Sequence, residues 1–283
     1  MEGIISKVIQ YNFDKIAPYT LQLFHNDIPQ WESSPPEPVG TGVLIKFENN
    51  YFIVTAAHVL QPYATKQKRN PYKEESDYDD PQEAFLTLEN IGFYYDGTYY
   101  PIREVFYTNI NGKVENLVDI AVVNLEKETV KELSGKQFVD CDTLQLRHTI
   151  SAQNRYFVYG YPAEWTDLKS YKIVRNPLKL ITKGVDISVK EIEKFEFDPQ
   201  YNFLIFYSPK NLIDKDGNKL NISSPNGISG CGLWYYEKGG MLKLVGIMTE
   251  NKFEKERKPF MMATKIDVVI DILGYAISGI HKH

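Results

Sequence analysis

Three residues in this sequence have the types needed for acyl transfer: His58 in VTAAHVL, Asp119 in NLVDIAVV and Ser229 in PNGISGCGLWYY. A serine hydroxyl is a poor nucleophile until a base takes its proton. Histidine is the side chain whose ordinary pKa suits that task near neutrality. A carboxylate bonded to the other ring nitrogen fixes the imidazole tautomer and stabilises the imidazolium that forms. Two of the pieces have plainer readings on their own: a lone histidine at the end of an apolar run is most often structural, and Gly-x-Ser-Gly is common in turns. Asp119 is harder to set aside. It is a single carboxylate in an otherwise apolar run, and burying it is costly unless a donor meets it. A histidine N–H is such a donor.

The elements that must hold these residues are mostly short strands. GVLIKF (42–47) and YFIVTAAHVL (51–60) flank ENN and read as a hairpin. AFLTLENIGFYYDGTYYPIREVFY adds two or three strands, with Asp96-Gly97 as a turn signal. NLVDIAVVNL (116–125), YFVYGYP (156–162), FLIFYS (203–208) and KLVGIMT (243–249) continue the pattern. Aromatic residues make up 13% of the chain, a usage that favours strands. Many short strands between turns predict an all-β barrel or sandwich. Ile266, Val269, Ile270, Leu273 and Ile277 recur at helical spacing, and Thr264 with Asp267 fits a capping box. The polar stretch 65–82 reads as a long exposed loop, and DKDGNKL (214–220) as a hairpin turn with Gly217 at its tip.

The order His, Asp, Ser separates chymotrypsin-type enzymes from α/β-hydrolases and subtilisins. GTGVLI, TAAHVL, DIAVV, GYP, GISGCG and LVGIMT, taken in order, resemble the landmark segments of the trypsin/chymotrypsin-like serine peptidases. The resemblance runs from Val39 to Ala276. It implies an all-β fold of two six-stranded antiparallel barrels with a C-terminal α-helix. Residues 1–145 would hold an N-terminal segment and the first barrel, with His58 and Asp119. Residues 146–283 would hold the second barrel, with Ser229, and the helix. The family's oxyanion donors fall on the backbone N–H groups of Gly227 and Ser229, and glycine at 227 clears space for an N–H turned inward. The floor of the specificity pocket falls near Ser223 and its wall on Thr249, Glu250 and Asn251. Phe260 falls where many members carry a pocket-opening glycine. No Asp lies at the floor and no His on the wall, so the expected pocket is shallow and suited to small or medium apolar side chains.

The sequence departs from the family at Ile228. Zymogen-type members carry there an aspartate that pairs with a newly cut N-terminus. Isoleucine cannot pair, so no switch of that kind is expected. Regulation would instead come from a protein activator or inhibitor, with the 65–82 loop and the segment before Val39 as docking places. The implied substrate is a protein or peptide, and the chemistry needs no cofactor. A catalytically silent module on the same fold stays open as the alternative.

Composition bounds the remaining classes. A net charge of −5 argues against nucleic acid as a partner. No stretch approaches the ~18 apolar residues of a membrane-spanning helix, and the first residues lack a basic start followed by an apolar run. With only two cysteines, Cys141 and Cys231, a cytoplasmic location without disulfides is expected. Neither cysteine has metal-site spacing, and Cys231, where the family usually has glycine, reads as a small packing residue. The resemblance extends to stand-alone bacterial members found beside stress and defence modules, which makes a triggered role the corresponding expectation.

Overall fold

The computed structural model describes residues 2–26, 35–65, 85–107, 118–169, 172–185, 198–207, 212–213, 228–252 and 260–280. Nine of its strands form one antiparallel sheet: β1 (Thr20–His25), β2 (Glu37–Phe47), β3 (Asn50–Thr55), β4 (Ala64–Thr65), β5 (Phe85–Leu88), β6 (Ile91–Tyr95), β7 (Thr98–Pro101), β8 (Glu104–Tyr107) and β9 (Ala121–Asn124). Their spatial order is β4-β5-β8-β9-β3-β2-β1-β6-β7. After β10 (Tyr156–Gly160) comes a small separate hairpin, β11 (Thr166–Lys169) and β12 (Lys172–Arg175). The second sheet joins β10 to β13 (Leu178–Thr182), β14 (Asn202–Phe206), β15 (Leu212–Ile213), β16 (Gly232–Tyr236), β17 (Leu242–Lys252) and β18 (Phe260–Lys265), in the order β14-β18-β17-β16-β10-β13-β15. Four α-helices are described: α1 (Glu2–Ile16), α2 (Ala57–Leu60), α3 (Lys127–Glu132) and α4 (Ile266–Ile280).

Side chains alternate across a strand, so a strand that is apolar at every position must be covered on both faces. The central strands here are of that kind. In the first sheet Leu44, Ile53, Ala121 and Val123 face a core of that sheet alone, together with Leu23 and Phe93. Their neighbours Val43, Ile45, Phe52, Val54 and Val122 face the other way. The second sheet behaves alike: Tyr156, Val158, Leu233 and Val245 line its own core, while Phe157, Tyr159, Trp234 and Leu244 join Val43 and its neighbours in a shared core. The sheets therefore each curl around a core of their own and meet back to back across a third. Phe13 and Ile16 of α1 and Val269, Leu273 and Ala276 of α4 are buried in that same shared layer. The connecting chain crosses between the sheets over a short span, Val139 bridging to Ile45 and Leu144 to Leu244.

Several sequence expectations are met locally. Glu48-Asn49 turns β2 into β3, and Asp96-Gly97, with φ of 47° and 80°, turns β6 into β7. Others are corrected. The run 51–60 is not one strand. β3 stops at Thr55 and α2 follows, its first turn closed by the Val59 N–H on the Ala56 carbonyl at 3.1 Å. Asp119 precedes β9 instead of lying inside a strand. The 85–107 region forms four strands, broken by a turn at Asn90, where φ is 58°.

The capping box does not form. Thr264 is a buried strand residue whose hydroxyl donates to Asn202 Oδ1 at 3.3 Å, and Asp267 accepts from the Arg147 N–H at 2.8 Å. Helix α1 was not anticipated, although Ile9, Phe13 and Ile16 have helical spacing. The sheets contain nine and seven described strands where six each were expected. The additions include the two-residue strands β4 and β15. The expected 65–82 loop, apart from Thr65, and the 214–220 turn lie outside the described residues. Among the described residues no helix is long and apolar enough to cross a membrane.

Candidate active site

The histidine is positioned by the break between β3 and α2. Once the strand ends at Thr55, the α2 turn faces the segment just before β9, and three hydrogen bonds join the two. The Ala57 N–H donates to the Asp119 carbonyl at 3.2 Å. The His58 N–H donates to Asp119 Oδ1 at 2.9 Å, and His58 Nδ1 lies 2.5 Å from Asp119 Oδ2. Both carboxylate oxygens are thus occupied by one residue, which holds the imidazole by its backbone and its ring at once. An acceptor on Nδ1 fixes the tautomer with the proton on Nδ1 and the lone pair on Nε2. The His58 side chain is 49% exposed and that of Asp119 21%. The pair therefore sits at the surface edge of the first core, where the ring can meet a ligand.

Ser229 occupies a tight turn between Ile228 and Gly230. Ile228 is buried in the core of the second sheet with Tyr156, Leu233 and Met248. The Cys231 N–H closes the turn on the Ile228 carbonyl at 3.0 Å. The Gly230 N–H donates to the Met248 carbonyl at 2.7 Å, which ties the turn to β17. Gly230 has φ of +86°, a conformation that favours glycine, and it is packed from outside as well. A Cβ there would fall 1.9 Å from the Thr41 carbonyl oxygen and 2.2 Å from Thr55 Oγ1.

These contacts bring the serine and histidine segments together. Gly230 touches Thr55, three residues before His58, and the Ser229 carbonyl accepts the Thr41 N–H at 3.2 Å. The Thr55 hydroxyl donates to the Thr41 carbonyl at 2.7 Å. Thr41 Oγ1 in turn accepts the Tyr161 N–H at 2.9 Å. Thr41 and Thr55 are both fully buried. Neither was picked out from sequence, nor was Gly230. The signal was a threonine between two glycines in VGTGV, a polar residue where the chain has no room for a large side chain.

The remaining predicted residues divide. Gly227 and Ser223 lie outside the described residues. Thr249 is fully buried at a bulge of β17, where Met248 pairs with Ala263 and Glu250 already with Met262. Its hydroxyl has no hydrogen-bond partner among the described residues. Glu250 and Asn251 continue that strand, paired with Met262 and Met261. Phe260 is buried against Leu204 and Met262, at the far end of the same strand pair.

Cys231 is buried between Thr41 and Gly160. Burial pushes its thiol up to about 12, opposed by a side-chain hydrogen bond with Thr41. Gly160 is required by that sulfur, since a Cβ there would lie 1.8 Å from Sγ. Neither cysteine forms a disulfide. Among the described residues no group of three His, Cys, Asp or Glu could hold a metal ion. No protein-family model and no curated protein matches the chain.

Proposed function

We propose that this chain is a serine endopeptidase of the trypsin/chymotrypsin-like class, its two curled sheets being the two barrels of that fold, divided near residue 145. The observation that carries this reading is the pair of hydrogen bonds by which the His58 backbone N–H and Nδ1 are both held on the Asp119 carboxylate. A surface histidine needs no such anchoring for stability, whereas a general base needs its ring held and its tautomer chosen.

In this reading His58 Nε2 removes the proton of Ser229 as Oγ attacks the substrate carbonyl. The imidazolium is stabilised by Asp119, then gives the proton to the leaving amine as the C–N bond breaks. Water, deprotonated by the same nitrogen, hydrolyses the acyl-enzyme and restores the serine. The backbone N–H groups of Gly227 and Ser229 receive the oxyanion. Thr249, Glu250 and Asn251 would flank the substrate chain, with Ser223 at the pocket floor and Phe260 limiting its depth. Burial of Ile228 supports a serine turn held by an apolar anchor, with no charge pair to a new N-terminus. The reading carries with it a protein or peptide substrate, a cytoplasmic setting and control by a partner protein.

A fluorophosphonate probe tests it directly. Labelling of the intact protein that disappears in Ser229→Ala is the expected result. Absence of labelling under all conditions, candidate activating proteins included, would overturn it.

A further inference from the structure

We infer that Thr41 is a positioning residue that sets Ser229 against His58, an inference that rests on the proposed peptidase reading. Every polar atom of Thr41 is assigned to a different segment. Its N–H donates to the Ser229 carbonyl at 3.2 Å. Its carbonyl accepts the hydroxyl of Thr55, at the root of the His58 turn, at 2.7 Å. Its Oγ1 accepts the Tyr161 N–H at 2.9 Å, just beyond the end of β10.

Beside that bond, Thr41 Oγ1 shares a side-chain hydrogen bond with Cys231, and both Oγ1 and the Cys231 sulfur lie around the same point on Gly160. A chain of contacts therefore runs from the Tyr161 N–H through Thr41 Oγ1 to Cys231, two residues past Ser229. The serine turn is gripped from two sides by one residue of the opposite sheet.

The grip has no slack. Gly230 is pressed against the Thr41 carbonyl and Gly160 lies against the Cys231 sulfur, with Thr41 Oγ1 within 3.2 Å of where a Cβ on Gly160 would sit. Thr41 is itself fully buried, so water cannot replace its hydroxyl without opening the seam. Removing the hydroxyl leaves the part-buried N–H of Tyr161 without its acceptor. The local remedy is a shift of β10 or of the serine turn. Shifts of this kind, on the order of 1 Å at the reacting group, lower rates by up to about 10²-fold.

Thr41→Val, Thr41→Ala and Thr41→Ser distinguish this role from packing. The rate of inactivation by a fluorophosphonate at saturation is expected to fall about tenfold or more in Thr41→Val and Thr41→Ala. The probe's half-saturating concentration should change less than twofold, and Thr41→Ser should recover most of the rate. Thr41→Ala loses the hydroxyl without crowding Tyr161, so it serves if the valine variant does not fold. A wild-type rate in either folded variant, or a serine variant as slow as the alanine one, would overturn the inference.

If the wild-type protein is not labelled at all, the peptidase reading fails separately and amide hydrogen exchange decides on Thr41. Faster exchange at Gly230 and Tyr161 in Thr41→Ala, reversed in Thr41→Ser, supports the grip on the turn. Equal exchange in all three proteins overturns it.

Discussion

Replacing Gly230 by alanine puts the smallest side chain at the tightest point of the serine turn. Two costs follow. The residue has φ of +86°, and a backbone on that side of the map costs a residue with a Cβ about 1–2 kcal/mol. The new methyl also falls 1.9 Å from the Thr41 carbonyl oxygen and 2.2 Å from Thr55 Oγ1. Contacts of this kind are not sustained below 3.0 Å, so the turn must withdraw by about 1 Å from β2 and β3. Forced overpacking of a buried site costs a further ~1–3 kcal/mol.

The loss of stability expected is therefore ~2–5 kcal/mol altogether. A functional loss should accompany it. A withdrawal of that size moves Ser229 away from the strand that leads to His58, and about 10²-fold is the scale set by such misplacement. Urea unfolding and the rate of fluorophosphonate labelling, measured on the same preparations, check both figures. A Gly230→Ala protein with the wild-type unfolding midpoint and labelling rate would refute the reasoning. It would mean that the serine turn is not wedged between the sheets.

Three further outcomes are expected. Asp119→Asn should leave the circular dichroism spectrum unchanged and lower labelling by roughly 10⁴-fold, because the amide no longer enforces the Nδ1–H tautomer of His58. With the Cys231 thiol pushed up to about 12 and buried, iodoacetamide at pH 8 should modify only Cys141 in the native protein and both thiols in urea; rapid native alkylation of Cys231 would contradict its packing. Lys136, whose ammonium donates to the Ala17 and Thr20 carbonyls, is lowered to about 8 by burial and secondarily by Arg175, against 10.5 in the unfolded chain. The unfolded chain then binds more protons between those values, so wild-type stability should rise from pH 8 to 10 relative to Lys136→Met. Tyrosines 99, 207 and 236, held near 12, oppose stability only above pH 10; parallel pH dependence of the two proteins would refute the assignment.

His58, Asp119 and Ser229 stood out as candidates because each breaks a local pattern. A carboxylate in an apolar run, a histidine at the end of one and a serine between glycines are visible without coordinates. The strands were readable for the opposite reason, regularity, down to the two turns at Glu48-Asn49 and Asp96-Gly97. What the residue pattern did not show is where an element stops when the next one is equally apolar. Val59 and Leu60 extend the β-run by composition, and only the fold reveals the helical turn that swings His58 onto Asp119. Asp267 looked like a helix cap and is used instead by Arg147, a partner 120 positions away. Thr41 shows the same limit. Its role rests on Thr55, Tyr161 and Ser229, partners that only the fold brings to it.

The layer between the sheets is closed by side chains from both ends of the described chain, Phe13 and Ile16 on one side and Val269, Leu273 and Ala276 on the other. Synthesis proceeds from the first toward the last, and earlier units fold before later ones exist. The first sheet, with His58 and Asp119, can curl around Leu44 and Ile53 while the chain is still growing. Its outward face is not fully covered until residue 276 has left the ribosome. The wedge that seats Ser229 against Thr41 and Thr55 is tied to Met248 of β17, so it forms only after that strand has been made. A nascent chain would carry the histidine and its carboxylate before the serine turn exists, so the three candidate residues are assembled only when both sheets are in place.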